Sequence, residues 1–148
     1  MRKLPIIEKI STLDEELYNA ILMLLPQVTS KNPLPSREEI VSILDSGSTM
    51  LLFAKYPDEQ GPIAGMLAFT HYMVPSGKNG HIDDFVVNSA FRRKGIGRAL
   101  IDRALNIAKE MKLNQVSLTS NPSRIEANKL YRSIGFNKIV TNVYRYDI

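Results

Sequence analysis

The segment 83–105, "DDFVVNSAFRRKGIGRALIDRAL", restricts the fold more than any other part of this chain. A short apolar run is followed by a basic loop with two glycines, and a long helix with an apolar inner face is predicted from Gly95. Glycines let the backbone approach a ligand, and a helix N-terminus offers unpaired N–H groups and a partial positive charge. This order predicts a diphosphate site, with a solvated basic turn as the alternative.

Two widespread phosphate-binding loops do not fit these glycines. The dinucleotide fingerprint requires a small residue where Leu100 stands. A P-loop ending in "GKN" requires a glycine where Tyr72 stands and a Ser or Thr where Asn79 stands. The sequence therefore predicts neither of these nucleotide sites.

Composition narrows the class of protein. The chain has 148 residues, of which 44% are hydrophobic and 23% charged, as is typical of a soluble protein with one domain over residues 1–148. It contains no cysteine, which excludes an acyl-cysteine intermediate, so any acyl transfer must pass directly from donor to acceptor. No apolar stretch could span a membrane, and "MRKLPIIEKISTLDEEL" lacks the apolar segment of a signal peptide. We expect a cytoplasmic protein with no membrane partner.

The remaining pattern predicts one sheet with flanking helices. Capping-box spacing marks three helix starts, at Thr12 and Glu15, at Ser36 and Glu39, and at Ser123 and Glu126. Strands are predicted at "PIIEKI", "TMLLFAKY", "PIAGMLAFTHYMV", "HIDDFVV", "NQVSLT" and "FNKIVTNVYRY". The predicted fold class is α/β of the α+β type, a single mixed, mostly antiparallel sheet flanked by helices.

Two motifs resemble those of the GNAT superfamily of acetyl-CoA-dependent N-acetyltransferases. Arg92, Gly95 and Gly97 match its Gln/Arg-x-x-Gly-x-Gly/Ala signature, and "ANKLYRSIGF" matches its Ala-x-x-Leu-Tyr-x-x-x-Gly-Phe element. The close resemblance covers residues 80–136. It implies the GNAT acyl-CoA N-acyltransferase fold, with acetyl-CoA as co-substrate, no metal, and a gap beside the strand around Phe85 in which acetyl-CoA lies.

The resemblance also implies the contacts of acetyl-CoA. Backbone groups of the strand would bind the acetyl carbonyl and the pantetheine arm, and backbone amides of the basic loop would bind the pyrophosphate. For the two asparagines, a turn cap and a solvated helix position remain the alternative. The implied cofactor-binding residues are Phe85, Val86, Val87, Arg92, Arg93, Lys94, Gly95, Ile96, Gly97, Arg98, Asn121 and Asn128.

Acetyl transfer to an amine needs a neutral amine, a stabilised oxyanion and a proton for the departing thiolate. The resemblance places Tyr131 at the general-acid position, although helical spacing alone would make it a core residue. Strand alternation puts His81, Asp83 and Phe85 on one face and Asp84 on the other. Similar enzymes carry the base or its water relay on this strand, so His81 and Asp83 are the predicted base residues, with an exposed rim as the alternative for the two acids.

The sequence thus predicts an N-acetyltransferase that moves the acetyl group from acetyl-CoA to a primary amine of a small molecule or peptide. The acceptor stays open, and the family often forms homodimers. A GNAT-like sensor that binds acetyl-CoA without catalysis is one alternative. A basic nucleic-acid-binding module is another, because the net charge is +4 and basic residues concentrate in 92–103. We expect no nucleic-acid partner.

Overall fold

The computed structural model describes residues 2–148. Its strands are β1 (Ile6–Lys9), β2 (Thr49–Lys55), β3 (Ile63–Val74), β4 (Gly77–Val87) and β5 (Gln115–Ser117). Its α-helices are α1 (Glu15–Leu24), α2 (Arg37–Asp45), α3 (Ile96–Glu110) and α4 (Ile125–Ile134), and short 3-10 helices cover Leu25–Gln27 and Ser89–Phe91. Within residues 2–148, no helix has the length and apolar character needed to cross a membrane.

The strands form one five-stranded sheet in the order β1-β2-β3-β4-β5. The first four strands are antiparallel, and β5 runs parallel to β4. The predicted mixed, mostly antiparallel sheet is therefore confirmed. Because Val74 pairs with Gly77, the hairpin between β3 and β4 turns within two residues, and β4 begins before the predicted His81.

Apolar side chains cover both faces of the sheet. One face packs against α1 and α2, in a cluster that includes Leu17, Ile21, Leu24, Ile40, Leu51, Phe53, Met66, Ala68 and Val86. The other face packs against α3, whose Ile96, Leu100, Ile101 and Ala104 are almost inaccessible to water. A Cβ added to Gly65 of β3 would lie 3.1 Å from Leu100 Cδ1 and 3.2 Å from Ile96 Cγ2, so the glycine permits the close approach of α3.

The capping box predicted at Ser36 and Glu39 is confirmed at the start of α2. The one predicted for α1 is wrong, because α1 begins at Glu15 and its cap is Asp14, whose Oδ1 accepts a hydrogen bond from Leu17 N at 2.8 Å. An aspartate directly before the first turn satisfies an N–H group and also offsets the positive end of the helix.

The cap predicted for α4 at Ser123 is wrong as well. The position before the helix is Arg124, and it makes no side-chain cap. Ser123 instead donates its backbone N–H to Asn121 Oδ1 at 2.9 Å. This asparagine turn holds Ser123 one residue too early to cap the helix.

The chain divides into two compact units, of which the first ends at Leu118 and the second is Thr119–Ile148. The second unit contains α4 and a segment, 135–148, that forms no strand. The strand predicted at "FNKIVTNVYRY" is therefore wrong. Val140 is 98% exposed and Tyr144 88% exposed. An alternating apolar pattern becomes a strand only when a neighbour pairs with its backbone, and within residues 2–148 this segment pairs with none.

Candidate active site

A β-bulge interrupts β4 between its acidic pair and its apolar end. Asp83 pairs with Ala68 and Val86 pairs with Met66, so the two β4 residues between them face a single residue of β3. The first of those two, Asp84, has a φ of 49°, in the left-handed region that few residues other than glycine adopt. A bulge of this kind redirects the strand beyond it.

The bulge changes which side chains share a face of β4. The alternation predicted for His81, Asp83 and Phe85 is wrong beyond Asp83, because the extra residue moves Phe85 to the opposite face and brings Val86 to the face of the other two. Val86 belongs to the apolar cluster beneath α1 and α2. His81 and Asp83 therefore lie on that side of the sheet.

The pairing between β4 and β5 is short. It consists of Asn79 with Gln115, Gly80 with Val116 and His81 with Ser117. β5 ends at Ser117, whereas β4 continues to Val87. The two strands thus form a ladder that stops at His81 and Ser117, and the bulged end of β4 continues past it. We call the edge of β4 beyond this last pair, which β5 leaves unpaired, the strand gap.

Residues 92–98, which lead into α3, have a backbone shape that suits an anion, and we call them the cradle. Arg93 and Gly95 have left-handed φ values of 62° and 78°. Residues in such conformations turn successive backbone N–H groups toward a common point. Arg92, Arg93 and Lys94 are exposed, and the first turn of α3 contains no acidic residue and no side-chain cap. Ile96, 1% exposed, anchors the start of the helix in the core.

Two further residues support this loop, and the sequence interpretation missed both. Arg2 Nη2 lies 3.8 Å from the position of a Cβ added to Gly95, so a guanidinium from the start of the chain stands beside the cradle. Gln27 Oε1 accepts a hydrogen bond from Ser89 N at 3.1 Å and ties the loop after α1 to the end of β4. Both contacts join distant parts of the sequence, and no local pattern indicates them.

His81 is the last residue of β4 that pairs with β5, and it contacts two polar side chains. Its Nδ1 is 3.0 Å from Ser117 Oγ, and its Nε2 is 3.6 Å from Asp83 Oδ1. The His81 side chain is 28% exposed and that of Asp83 59%. The structure thus brings the two predicted base residues together and adds Ser117, which the sequence interpretation missed because the parallel register of β5 is a tertiary property.

Comparison with known proteins identifies a family for this chain. The model of the acetyltransferase (GNAT) family matches residues 15–136. This chain belongs to that family. The family resemblance of the two sequence motifs is confirmed, and members of the GNAT family use acetyl-CoA as co-substrate.

One relative is similar in sequence over about half of this chain, and two solved structures are similar in fold over nearly all of it. N-alpha-acetyltransferase 30 of Dictyostelium discoideum is 36% identical over 69 residues, which cover 47% of this chain and only 37% of that protein. An aminoglycoside acetyltransferase from an uncultured soil metagenomic sample, solved in complex with trehalose, has a TM-score of 0.80 at 19% identity over 97% of each chain. Glucosamine-6-phosphate N-acetyltransferase from Arabidopsis thaliana has a TM-score of 0.77 at 24% identity, over 97% of this chain and 98% of that one. At these identities the two structures establish the GNAT fold alone.

Tyr131, the general acid implied by the GNAT motif, lies in α4 of the second unit. Its side chain is 6% exposed and packs edge-on against Phe136, with ring centroids 6.0 Å apart. Burial raises the pKa of the Tyr131 phenol, and the positive charge of Arg124 opposes this shift. The hydroxyl therefore stays protonated near neutral pH, and the raised pKa also makes it a weaker proton donor than an exposed tyrosine.

The two asparagines of the GNAT motif region hold the turn before α4. Asn121 Oδ1 accepts from Ser123 N at 2.9 Å, and Asn128 Nδ2 donates to Asn121 O at 3.0 Å. Each side chain thus has a structural role of its own. Their contacts with acetyl-CoA stay predictions.

Asp84, at the bulge, has a different electrostatic environment from its neighbour. Burial raises the pKa of its carboxyl, the charge of Asp83 raises it further, and Lys31 lowers it. The desolvation is partial, because Asp84 as a whole is exposed.

Among residues 2–148, no group of three or more His, Asp and Glu side chains could hold a metal ion.

Proposed function

We propose that this protein transfers the acetyl group of acetyl-CoA directly to a primary amine of a small molecule or peptide. The observation that carries the proposal is the order of the site along one stretch of chain. The last β4–β5 pair at His81, the bulge at Asp84 and the cradle around Gly95 follow one another within residues 81–98. A thioester arm and a diphosphate are joined in acetyl-CoA in the same order.

The cradle fits the diphosphate of acetyl-CoA. Its left-handed Arg93 and Gly95 supply the backbone concavity, and the uncapped start of α3 supplies a partial positive charge. The cofactor contacts we propose are those of Arg92, Arg93, Lys94, Gly95, Ile96, Gly97 and Arg98 for the pyrophosphate, and of Asn121 and Asn128 for the pantetheine or nucleotide. Arg2 adds a positive charge at the same place.

The strand gap would hold the reactive end of the co-substrate. Acetyl-CoA supplies an acetyl group activated as a thioester. Backbone groups of Phe85, Val86 and Val87 would orient the acetyl carbonyl and the arm behind it, since a bulge re-aims the backbone at this point. Tyr131 would donate a proton to the departing thiolate, because it stands at the general-acid position of the GNAT motif.

The base would be His81, with Asp83 beside it. His81 and Asp83 share the face of β4 toward α1 and α2, and both are accessible to water. The imidazole of His81 can accept a proton from an amine as the new bond forms. The carboxylate beside it would stabilise the imidazolium that results.

A panel of amines tests the proposal. Purified protein is incubated with acetyl-CoA and each amine, including a polyamine, amino-acid derivatives, a sugar amine and a peptide N-terminus, and free thiol is measured with and without the amine. We expect amine-dependent thiol release with at least one class and an N-acetylated product by mass spectrometry. Tight acetyl-CoA binding without thiol release for any amine would instead identify a sensor. A cytoplasmic location and a homodimer stay predictions.

A further inference from the structure

Ser117 extends the predicted base into a cluster of three polar side chains. His81 Nδ1 lies 3.0 Å from Ser117 Oγ, and His81 Nε2 lies 3.6 Å from Asp83 Oδ1. Ser117 is the last residue of β5 and is exposed, whereas His81 is only partly so. His81 and Ser117 form the last pair of the ladder, and of these two the serine is the more exposed to water.

The hydrogen-bonding roles in this cluster follow from Asp83. A carboxylate only accepts, and its negative charge favours a proton on the histidine nitrogen that faces it, Nε2. At 3.6 Å this contact is electrostatic rather than a hydrogen bond. The lone pair of neutral His81 is then on Nδ1, so Ser117 donates its O–H to that nitrogen and its oxygen can accept a proton from outside.

We propose that Ser117 is a catalytic residue that relays the proton of the acceptor amine to His81. The inference rests on the proposed acetyl transfer and deepens it. In this relay, Ser117 accepts the amine proton, and His81 takes up the proton that Ser117 releases. Asp83 stabilises the positive charge that His81 gains.

The relay balances atoms and charge. The amine nitrogen forms a bond to the acetyl carbon, the carbon–sulfur bond breaks, and the thiolate takes the Tyr131 proton. The amine N–H proton moves to Ser117 Oγ while the Ser117 hydroxyl proton moves to His81 Nδ1. His81 leaves this step as an imidazolium beside Asp83, and returns a proton to the tyrosinate through solvent. Ser117 is never acetylated.

Two variants of Ser117 test the relay with an amine that the wild type acetylates. Ser117→Ala removes the hydroxyl and is expected to lower kcat about 100-fold, the scale of lost general acid–base catalysis. The dissociation constant of acetyl-CoA is expected to stay unchanged. Ser117→Thr keeps a hydroxyl at the same position and is expected to retain most of the activity.

Nitrogen NMR of the imidazoles provides a readout that does not depend on turnover. The sequence contains two histidines, and His71, whose Nε2 lies 3.0 Å from Gly47 O, is the internal reference. In the wild type we expect His81 with its proton on Nε2. Ser117→Ala is expected to shift the His81 Nδ1 signal and leave His71 unchanged, and Ser117→Thr to restore it.

The outcomes separate the relay from the acetyl transfer on which it rests. Failure of the wild type to acetylate any amine overturns the proposed function, and the relay with it. A wild type that turns over while Ser117→Ala keeps full kcat overturns the relay alone, whatever the NMR spectrum shows. An acetyl group found on Ser117 by mass spectrometry also overturns it, because the serine would then be a nucleophile.

Discussion

Two helices of this protein, α2 and α3, begin in opposite ways. At the start of α2, Ser36 Oγ accepts from Glu39 N at 3.2 Å and Glu39 Oε2 accepts from Ser36 N at 3.0 Å. At the start of α3, Gly95 offers no side chain, and the first turn has no acidic residue. Side chains at the start of α2 satisfy its own terminal N–H groups, whereas those at the start of α3 have no side-chain cap and are available to the anion that we propose.

The charged residues around a helix start distinguish one that is closed by its own side chains from one that can bind an anion. Both ends carry the same partial positive charge, and α2 neutralises it with Glu38 and Glu39. Around α3 the chain adds positive charge instead, from Arg92, Lys94 and Arg2. A helix start that lacks a cap and is surrounded by cations is stabilised when an anion binds there.

The largest expected effect comes from closing the start of α3. Gly97→Asp would place a side chain and a negative charge at the cradle, and we expect it to weaken acetyl-CoA binding at least 100-fold, beyond detection by calorimetry. The cause is both steric exclusion and repulsion of the diphosphate. Asn106→Asp adds the same charge on an exposed position further along α3 and serves as the control. Equal binding by Gly97→Asp and the control would refute the assignment of the loop.

A second variant separates binding at α3 from chemistry. Tyr131→Phe removes only the phenol hydroxyl, and we expect kcat to fall about 100-fold while the affinity for acetyl-CoA is kept. Steady-state kinetics and calorimetry measure the two effects. Tyr144→Phe makes the same change at an exposed tyrosine of the second unit and should be silent. Parallel loss of affinity and kcat would make Tyr131 a packing residue instead.

A reciprocal pair of variants perturbs the two helix starts directly. Gly95→Ala, at a φ of 78°, is expected to cost about 1–2 kcal/mol of unfolding free energy and to weaken acetyl-CoA binding about 10-fold, because the loop must leave its left-handed shape. Ser36→Ala is expected to cost about 1 kcal/mol through loss of the cap and to leave binding unchanged. Urea unfolding and calorimetry measure both.

Gly47→Ala is the matched control for this pair. Gly47 has a φ of 72°, and a Cβ there would meet no atom within 4 Å, so it carries the same backbone strain as Gly95 at a site without a proposed ligand. We expect a similar loss of stability and normal acetyl-CoA binding. Weakened binding in Gly47→Ala or Ser36→Ala would mean that stability, rather than the cradle, governs affinity.

The smallest effect concerns the bulge and depends on pH. Asp84 has a pKa above its ordinary value of 3.8, so its protonated form favours the folded state, and this stabilisation is lost as the pH rises through the folded pKa. Asp84→Asn keeps a residue that tolerates the left-handed region and should raise Tm at pH 7 by about 1–2 °C, allowing for screening of an exposed carboxyl.

Thermal unfolding at several pH values checks this sign. The difference between Asp84→Asn and the wild type should shrink as the pH falls below 3.8. A gain that grows on acidification would contradict the direction of the Asp84 pKa.

Features that depend on near neighbours in the chain were predicted only in part, since the predicted cap of α2 is confirmed and those of α1 and α4 are wrong. The cap of α2 needs only Ser36 and Glu39, three residues apart, and the cradle needs only a basic glycine loop before a helix. The mixed, mostly antiparallel sheet was predicted from the order of strands and helices along the chain. The face of Phe85 was not, because the bulge at Asp84 is set by pairing with β3 rather than by alternation.

Long-range geometry explains the other differences. Ser117 joins His81 through a register 36 residues apart, and Arg2 reaches Gly95 across most of the chain. The strand predicted in the last segment failed because alternation describes a face and cannot supply a partner strand. Contacts between distant parts of the chain determine these features, and local sequence propensity does not indicate them.

Backbone NMR of the wild type during an acetyl-CoA titration tests the central claim most directly. We predict that amide shifts concentrate at residues 92–98 at the start of α3 and at 82–87 of β4, and that amides 37–39 at the start of α2 stay unchanged. Shifts of equal size at the two helix starts, or none at 92–98 under saturating acetyl-CoA, would contradict it.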